Sequence, residues 1–183
     1  MTSPVARRFG TMRGLIRLAL SWPELALGRA GIVEADPDRV RRLVFVCQGN
    51  ICRSAFAEAI ARNQGLNAIS FGLSTGAGLP AHPPAVAAAR ALGVDLSAHR
   101  TQGIADYAPV PGDLLLAMET RQLRQIGIAG VPRTLLGLHA RPPLPHLHDP
   151  FGLDPAYMET CLKRIAAAVL NLRAAFPGAI SGE

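Results

Sequence analysis

The sequence predicts an α/β fold: a mainly parallel sheet covered on both faces by helices, with a helical extension at the N-terminus. Three observations lead there. Short apolar runs alternate with helical segments from residue 42 onward, turns rich in glycine and proline separate them, and upstream of residue 42 the pattern becomes an arginine-studded amphipathic stretch. Alternating strands and helices call for right-handed crossovers, which place helices on both faces of a parallel sheet.

The elements follow in order. Met12, Leu15, Ile16, Leu18 and Leu20, with Arg13 and Arg17 between them, predict a short amphipathic helix ending near Trp22-Pro23, and a second short helix is expected around Glu24–Ala30. Arg42–Cys47 (RLVFVC) reads as a buried strand, and Ser54–Asn63 as a helix with Gly65 just past its end. Asn67–Ser74 is the second strand. Ala85–Leu92 is helical and stops at Gly93, and Asp113–Met118 is the third strand, followed by a helix from Glu119 to Gln125. Thr134–Leu138 is the fourth strand, His146–Pro150 a loop, and Pro155–Phe176 a long final helix whose apolar positions include Met158, Cys161, Leu162 and Ile165. Residues 1–41 are therefore read as a basic extension and residues 42–183 as the domain proper.

Composition narrows the function. With 183 residues, 49% of them hydrophobic and 17% charged, the chain can bury a core without disulfides or metals. No apolar run approaches the length of a membrane span. The formal charge of +6 invites a nucleic-acid reading, but its distribution argues against one. Residues 1–42 hold eight arginines and four acids; the rest holds eleven basic and nine acidic groups, with no basic stripe interleaved with aromatics. Nucleic acid is thus not the expected partner. Three cysteines, Cys47, Cys52 and Cys161, and a start without a small-residue cleavage site point to the cytoplasm, where cysteine is more often reactive or buried than cross-linked.

In such folds ligands sit at the carboxyl ends of the strands, so the first strand-to-helix turn is the place to look. There stands Cys47-Gln48-Gly49-Asn50-Ile51-Cys52-Arg53-Ser54. A turn of this kind is an anion cradle: successive N–H groups point inward, the helix N-terminus adds positive potential, and Gly49 and Asn50 tolerate left-handed backbone. The same field favours a thiolate at Cys47, to which the Ser54 hydroxyl can donate. Arg53 offers a planar fork for two oxygens of a phosphoryl group. A Cys-x4-Cys zinc site with His146 or His148 is disfavoured, since an arginine beside it would repel the cation. A thiolate that takes a phosphoryl group needs an acid for the departing oxygen, and Asp149, stiffened by Pro150 in His148–Phe151, is the candidate. His82, His99, His146 and His148 are expected to be surface or loop residues.

LVFVCQGNICRSAFAE at Leu43–Glu58 resembles the signature of the low-molecular-weight protein tyrosine phosphatase family. The resemblance continues through Ser74-Thr75-Gly76, Gly93–Leu96 with His99-Arg100, Asp113–Glu119 and His148–Phe151, covering residues 42–176. It implies a three-layer sandwich with a four-stranded parallel sheet. It implies Cys47 as nucleophile, Arg53 as phosphate clamp and Asp149 as general acid and then base. Gln48, Gly49, Asn50, Ile51, Cys52 and Ser54 would form the phosphate-binding loop, with Ser74 hydrogen-bonded to Asn50. In the family a cysteine at the position of Cys52 can form a protective disulfide with the nucleophile; packing behind the loop is the other reading. No metal or cofactor is expected.

The expected reaction is metal-independent hydrolysis of phosphotyrosine in proteins. Arginine phosphatases that resemble this loop carry threonine where this chain has Ile51. Thioredoxin-coupled arsenate reductases use further cysteines in a mobile segment, whereas Cys161 falls on the apolar side of a helix. Arsenate reduction and phosphate sensing with weak catalysis are the alternatives. The chain departs from the family pattern at Ala55, usually proline, and at Leu79, in a segment that often carries an aromatic. With Leu79 and Phe151 as the expected substrate wall, Phe151 is the one ring expected there. Bacterial relatives act opposite tyrosine kinases of polysaccharide export, which makes such a kinase the expected partner. For the extension, packing on the domain leads over dimerisation and contact with an anionic membrane surface.

Overall fold

In the computed structural model, which describes residues 3–181, the sheet has four parallel strands in the order β2-β1-β3-β4. They are β1 (Arg42–Cys47), β2 (Ala68–Gly72), β3 (Asp113–Ala117) and β4 (Arg133–Leu135). Strand alternation sorts the side chains of β1. Leu43, Phe45 and Cys47 face a large core with helices α3 (Arg53–Asn63), α4 (Pro83–Ala91) and α6 (Pro155–Leu170). Val44 and Val46 face a smaller one with Phe71, Leu115, Leu123 and Ile126, covered by α5 (Thr120–Gln125). Phe45 and Phe56 are wholly buried, each contributing roughly 1.5–3 kcal/mol of apolar transfer. The α/β sandwich and its strand order put the carboxyl ends of the central β1 and β3 side by side, where the loop after β1 opens.

Of the boundaries that differ from the sequence expectation, four have a clear local reason. Strand β2 stops at Gly72 because the loop after β1 crosses it there: a Cβ on Gly72 would lie 3.0 Å from both Asn50 N and Gln48 O. β4 ends at Leu135 in a short 3-10 turn, Leu136–His139, where the chain doubles back and a Cβ on Gly137 would strike the Leu144 carbonyl. The final helix breaks at Asn171, whose amide donates to His139 O at 2.8 Å, and resumes as α7 (Leu172–Ala175). The amphipathic helix does not stop at Trp22-Pro23. It runs unbroken as α2 (Met12–Ala26), with Pro23 inside it, so the second helix expected at Glu24–Ala30 is only its last turn and a following bend. Proline φ suits a helix; what it lacks is the N–H, and Leu27 N still closes on Pro23 O at 3.0 Å.

The extension packs on the domain. A short helix α1 (Pro4–Phe9), which the sequence reading missed, is capped by Ser3 and lies against α6. Helix α2, capped by Thr11, buries Gly14 and Ser21, adds Leu25 to the smaller core, and ties Glu24 to Arg124 at 3.2 Å. Past it, Val33 bridges to Arg133 beside β4.

Candidate active site

The turn from β1 into α3 is organised by Asn50. Its backbone is left-handed (φ 52°), unlike that of Gly49, which needs no such freedom. Asn50 is fully buried, and every polar group it carries is used. Gln102 N donates to Oδ1 at 2.9 Å, which fixes the amide orientation because a backbone N–H can only donate. Nδ2 therefore donates twice, to Ser54 Oγ (2.8 Å) and to Ser70 Oγ (2.7 Å). Its carbonyl accepts from His99 Nε2 at 2.7 Å, so that nitrogen carries the ring proton. Its N–H points at Cys47 Sγ, 3.3 Å away.

This network directs the Ser54 proton. Ser54 Oγ already accepts from Asn50, so its own hydrogen is free to point at Cys47 Sγ, 3.0 Å away. Cys47 is thus approached by a hydroxyl and a backbone N–H while only 2% exposed. Ser70, in turn, donates to Glu58 Oε2 at 2.6 Å, and Glu58 pairs with Arg62 at 2.8 Å. The resemblance placed Ser74 against Asn50. Ser70 holds that position instead, because it points from mid-strand under the loop; Ser74, beyond the strand end, accepts from the Gln48 side chain.

Arg53, 1% exposed, lies beneath the loop and gathers two carboxylates. Nη1 donates to Glu119 Oε1 (2.6 Å) and to the Leu147 carbonyl (2.9 Å), while Nη2 pairs with Asp149 Oδ2 at 2.6 Å. Nε has no hydrogen-bond partner among the described residues. The Nε–Nη2 edge is therefore the edge an oxyanion would take. Burial would lower the Arg53 pKa, but the Asp149 and Glu119 charges outweigh it and raise it above its ordinary value. Burial would likewise raise the Glu119 carboxyl, yet Arg53, with His146 and Arg121, holds it down at about 2. Asp149 is partly open, its side chain 31% exposed, and Phe151 N donates to its Oδ1 at 3.2 Å.

The hollow above these groups has a volume of about 190 Å³. Its lining includes Cys47, Gln48, Gly49, Ile51, Cys52 and Arg53 from the loop and Asp149 and Phe151 from the far side. Ten of the eleven residues singled out from the sequence thus gather at one place, with Asn50 and Ser54 behind the loop. Leu79 is the exception. It is 56% exposed and does not line the hollow, because its backbone is bonded to Thr101 on the neighbouring loop. Phe151 alone of the two expected wall residues lines the hollow, and its ring is backed by that of His82, 4.8 Å away.

Three more histidines depart from the surface reading. His99 holds the loop carbonyl; His146, 4% exposed, sits 4.0 Å from Glu119. Burial lowers the His146 pKa to about 4, keeping it neutral near pH 7. His148 Nε2 meets Thr11 Oγ1 of the extension at 3.1 Å. Glu119 is the most consequential residue missed, and its signal was present: an acid immediately after a predicted strand sits where ligands and their partners collect. All three cysteines are free and buried; burial pushes the Cys52 thiol well above its ordinary range and Cys161 up to about 12. No group of three or more His, Cys, Asp or Glu able to hold a metal ion occurs among the described residues.

Fold and site together define an α/β protein built around a cysteine-centred loop at the carboxyl end of its sheet. The chain belongs to the low molecular weight phosphotyrosine protein phosphatase family, whose sequence pattern matches residues 42–177. The probable low molecular weight protein-tyrosine-phosphatase EpsP of Ralstonia nicotianae is 37% identical over 89 residues, 48% of this chain. The match spans 61% of that relative's length. The tyrosine phosphatase AmsI of Erwinia amylovora superposes with a TM-score of 0.64 at 25% identity, covering 75% of this chain and 93% of that one. Wzb of Escherichia coli K30, solved with sulphate, gives 0.63 at 25% identity, covering 74% and 96%.

Proposed function

We propose that this protein hydrolyses phosphotyrosine in proteins through a cysteinyl-phosphate intermediate. One observation carries the reading: Cys47, Arg53 and Asp149 line a single hollow at the end of the anion loop. Cys47 Sγ attacks phosphorus as a thiolate, the S–P bond forms, and the P–O bond to the tyrosyl oxygen breaks. Asp149 gives that oxygen its proton. A water then attacks the phosphocysteine, Asp149 takes the water's proton, and inorganic phosphate leaves with Cys47 restored. Arg53 supports the equatorial oxygens through its Nε–Nη2 edge, and the incoming phosphoryl group displaces Asp149 from Nη2 and frees it for proton transfer.

Ile51 and Phe151 give the hollow apolar surfaces suited to a phenyl ring. Arsenate reduction would require a second accessible thiol, and Cys161 is 1% exposed within α6, 3.6 Å from the His148 carbonyl. A thiolate chemistry with three free cysteines suits a reducing compartment, the cytoplasm, and a tyrosine kinase of polysaccharide export is the proposed substrate protein.

A panel of phosphotyrosine, phosphoserine and phosphoarginine peptides, with chelator present, tests the reading. Phosphotyrosine should turn over, Cys47→Ser should fall to background, and Asp149→Ala should lose about 10²–10⁴-fold in kcat. Activity that persists in Cys47→Ser overturns the mechanism, a preference for phosphoarginine overturns the substrate, and phosphate binding without turnover overturns the enzymatic reading.

A further inference from the structure

Helix α2 sits on the domain with four of its large apolar side chains turned outward and Leu15, Leu18 and Leu25 partly buried. The face it buries is a narrow one of Gly14 and Ser21, whereas Met12 (59%), Ile16 (52%), Leu20 (55%), Trp22 (47%) and Leu27 (63%) are all largely exposed. At 100° per residue, Met12, Ile16 and Leu20 fall in one stripe along a helix about 22 Å long, and Leu27 follows just past its end. Such a stripe has no function in the packing just described, since the domain is on the other side.

The flank of that stripe is basic. Arg13 and Arg17 lie one step round the helix, and between the helix and the domain opens a cavity of about 450 Å³. Its lining includes those two arginines together with Arg121 and Arg124 from the domain, and Ile16 and Leu20 from the apolar stripe. Arg121 is paired with Glu119 and Arg124 with Glu24, but Arg13 and Arg17 make no ion pair among the described residues. Glu24 and Glu119 also line the cavity but are taken up by Arg124 and Arg121, so one surface joins an exposed apolar stripe to a pocket with two guanidinium groups to spare.

We propose that this face docks the protein on an anionic lipid bilayer, the apolar stripe entering the interface and the arginine-lined cavity receiving lipid phosphate. Apolar area and opposite charge are the two terms that hold an interfacial helix, and here they adjoin along one helix edge. A second copy of the chain is the less suitable occupant: pairing the stripe with itself would bring Arg13 and Arg17 of both copies together. No helix among the described residues is long and apolar enough to cross a membrane, so the contact is peripheral. The catalytic hollow contains no residue of α2 and stays open when the helix docks.

Trp22, the chain's single tryptophan, lies about 120° round the helix from the middle of the stripe, so docking is read by co-sedimentation of the protein with vesicles. The full chain is titrated with vesicles of phosphatidylcholine, with and without phosphatidylglycerol, and in parallel followed by sedimentation velocity without lipid. The protein should co-sediment with the anionic vesicles alone and be released in high salt. Ile16→Glu with Leu20→Glu should abolish co-sedimentation. Arg13→Ala with Arg17→Ala should weaken partitioning about 25-fold, each arginine being worth roughly fivefold near an anionic surface. Aryl phosphate hydrolysis by each variant verifies its fold, because none of the four side chains touches the hollow. No co-sedimentation with anionic vesicles, equal binding to neutral ones, or a dimer broken by the apolar substitutions without lipid binding would each overturn the proposal.

Discussion

Asn50 shows how much one residue can hold together. Its left-handed φ makes the turn, its amide positions Ser54 and Ser70, its carbonyl anchors His99, and its N–H points at the Cys47 sulfur. Aspartate keeps the shape and tolerates the backbone but has no N–H to give Ser54 or Ser70, and it adds a buried negative charge beside a group that must ionise. Asn50→Asp should therefore lower kcat/KM by at least about 100-fold and stability by about 3 kcal/mol, the order of a broken buried polar network. Asn50→Ser, which removes the donor without adding charge, should lose less activity; steady-state kinetics with denaturant unfolding measures both. Equal activity in Asn50→Asp and the parent would mean that Ser54 is oriented by something else.

At the level of elements, the N-terminal extension reaches the loop of the proposed acid, Asp149, through α2. Thr11 caps that helix and also meets His148, the residue before Asp149, while His146 on the same loop lies beside Glu119. Close approach depends on Gly14: a Cβ there would come within 2.2 Å of Phe9 O and 2.8 Å of His148 Cδ2. Gly14→Ala must push the helix off the loop, costing about 1–3 kcal/mol of stability by overpacking. Asp149, the proposed acid, then loses its support. Turnover of an aryl phosphate should fall several-fold with little change in KM, because the anion loop and Arg53 stay in place. Ala26→Ser, exposed on the same helix, should leave both unchanged. If Gly14→Ala loses stability but keeps full turnover, the extension packs without supporting Asp149.

Taken as a whole, the molecule was legible in sequence wherever the signal was local. The apolar run Leu43–Cys47 and the Cys-x5-Arg-Ser turn marked the buried strand and the loop after it, since a short strand and a turn are written in consecutive residues. Ser70, His99, Glu119 and His146 were not legible as parts of the site, because their partners lie 20, 49, 66 and, for His146 with Glu119, 27 positions away. Two of those distant groups set how the fold responds to acid. His146, whose pKa falls from 6.5 to about 4 on burial, stays neutral in the fold while the unfolded chain binds a proton. Its contribution is complete above pH 6.5 and is lost as pH falls from there to about 4. Glu119, held at about 2 against an ordinary 4.5, contributes fully above pH 4.5, and that contribution is lost between there and pH 2. Each shift corresponds to about 3 kcal/mol, or roughly 10 °C in Tm for a chain of this size. His139 and His148, also lowered by burial, act in the same direction as His146. Thermal unfolding should therefore be level down to about pH 6.5 and then decline in two stages. His146→Gln should flatten the upper stage while leaving the lower one, and a variant whose Tm falls as steeply as the parent between pH 6.5 and 4 would remove His146 from the account.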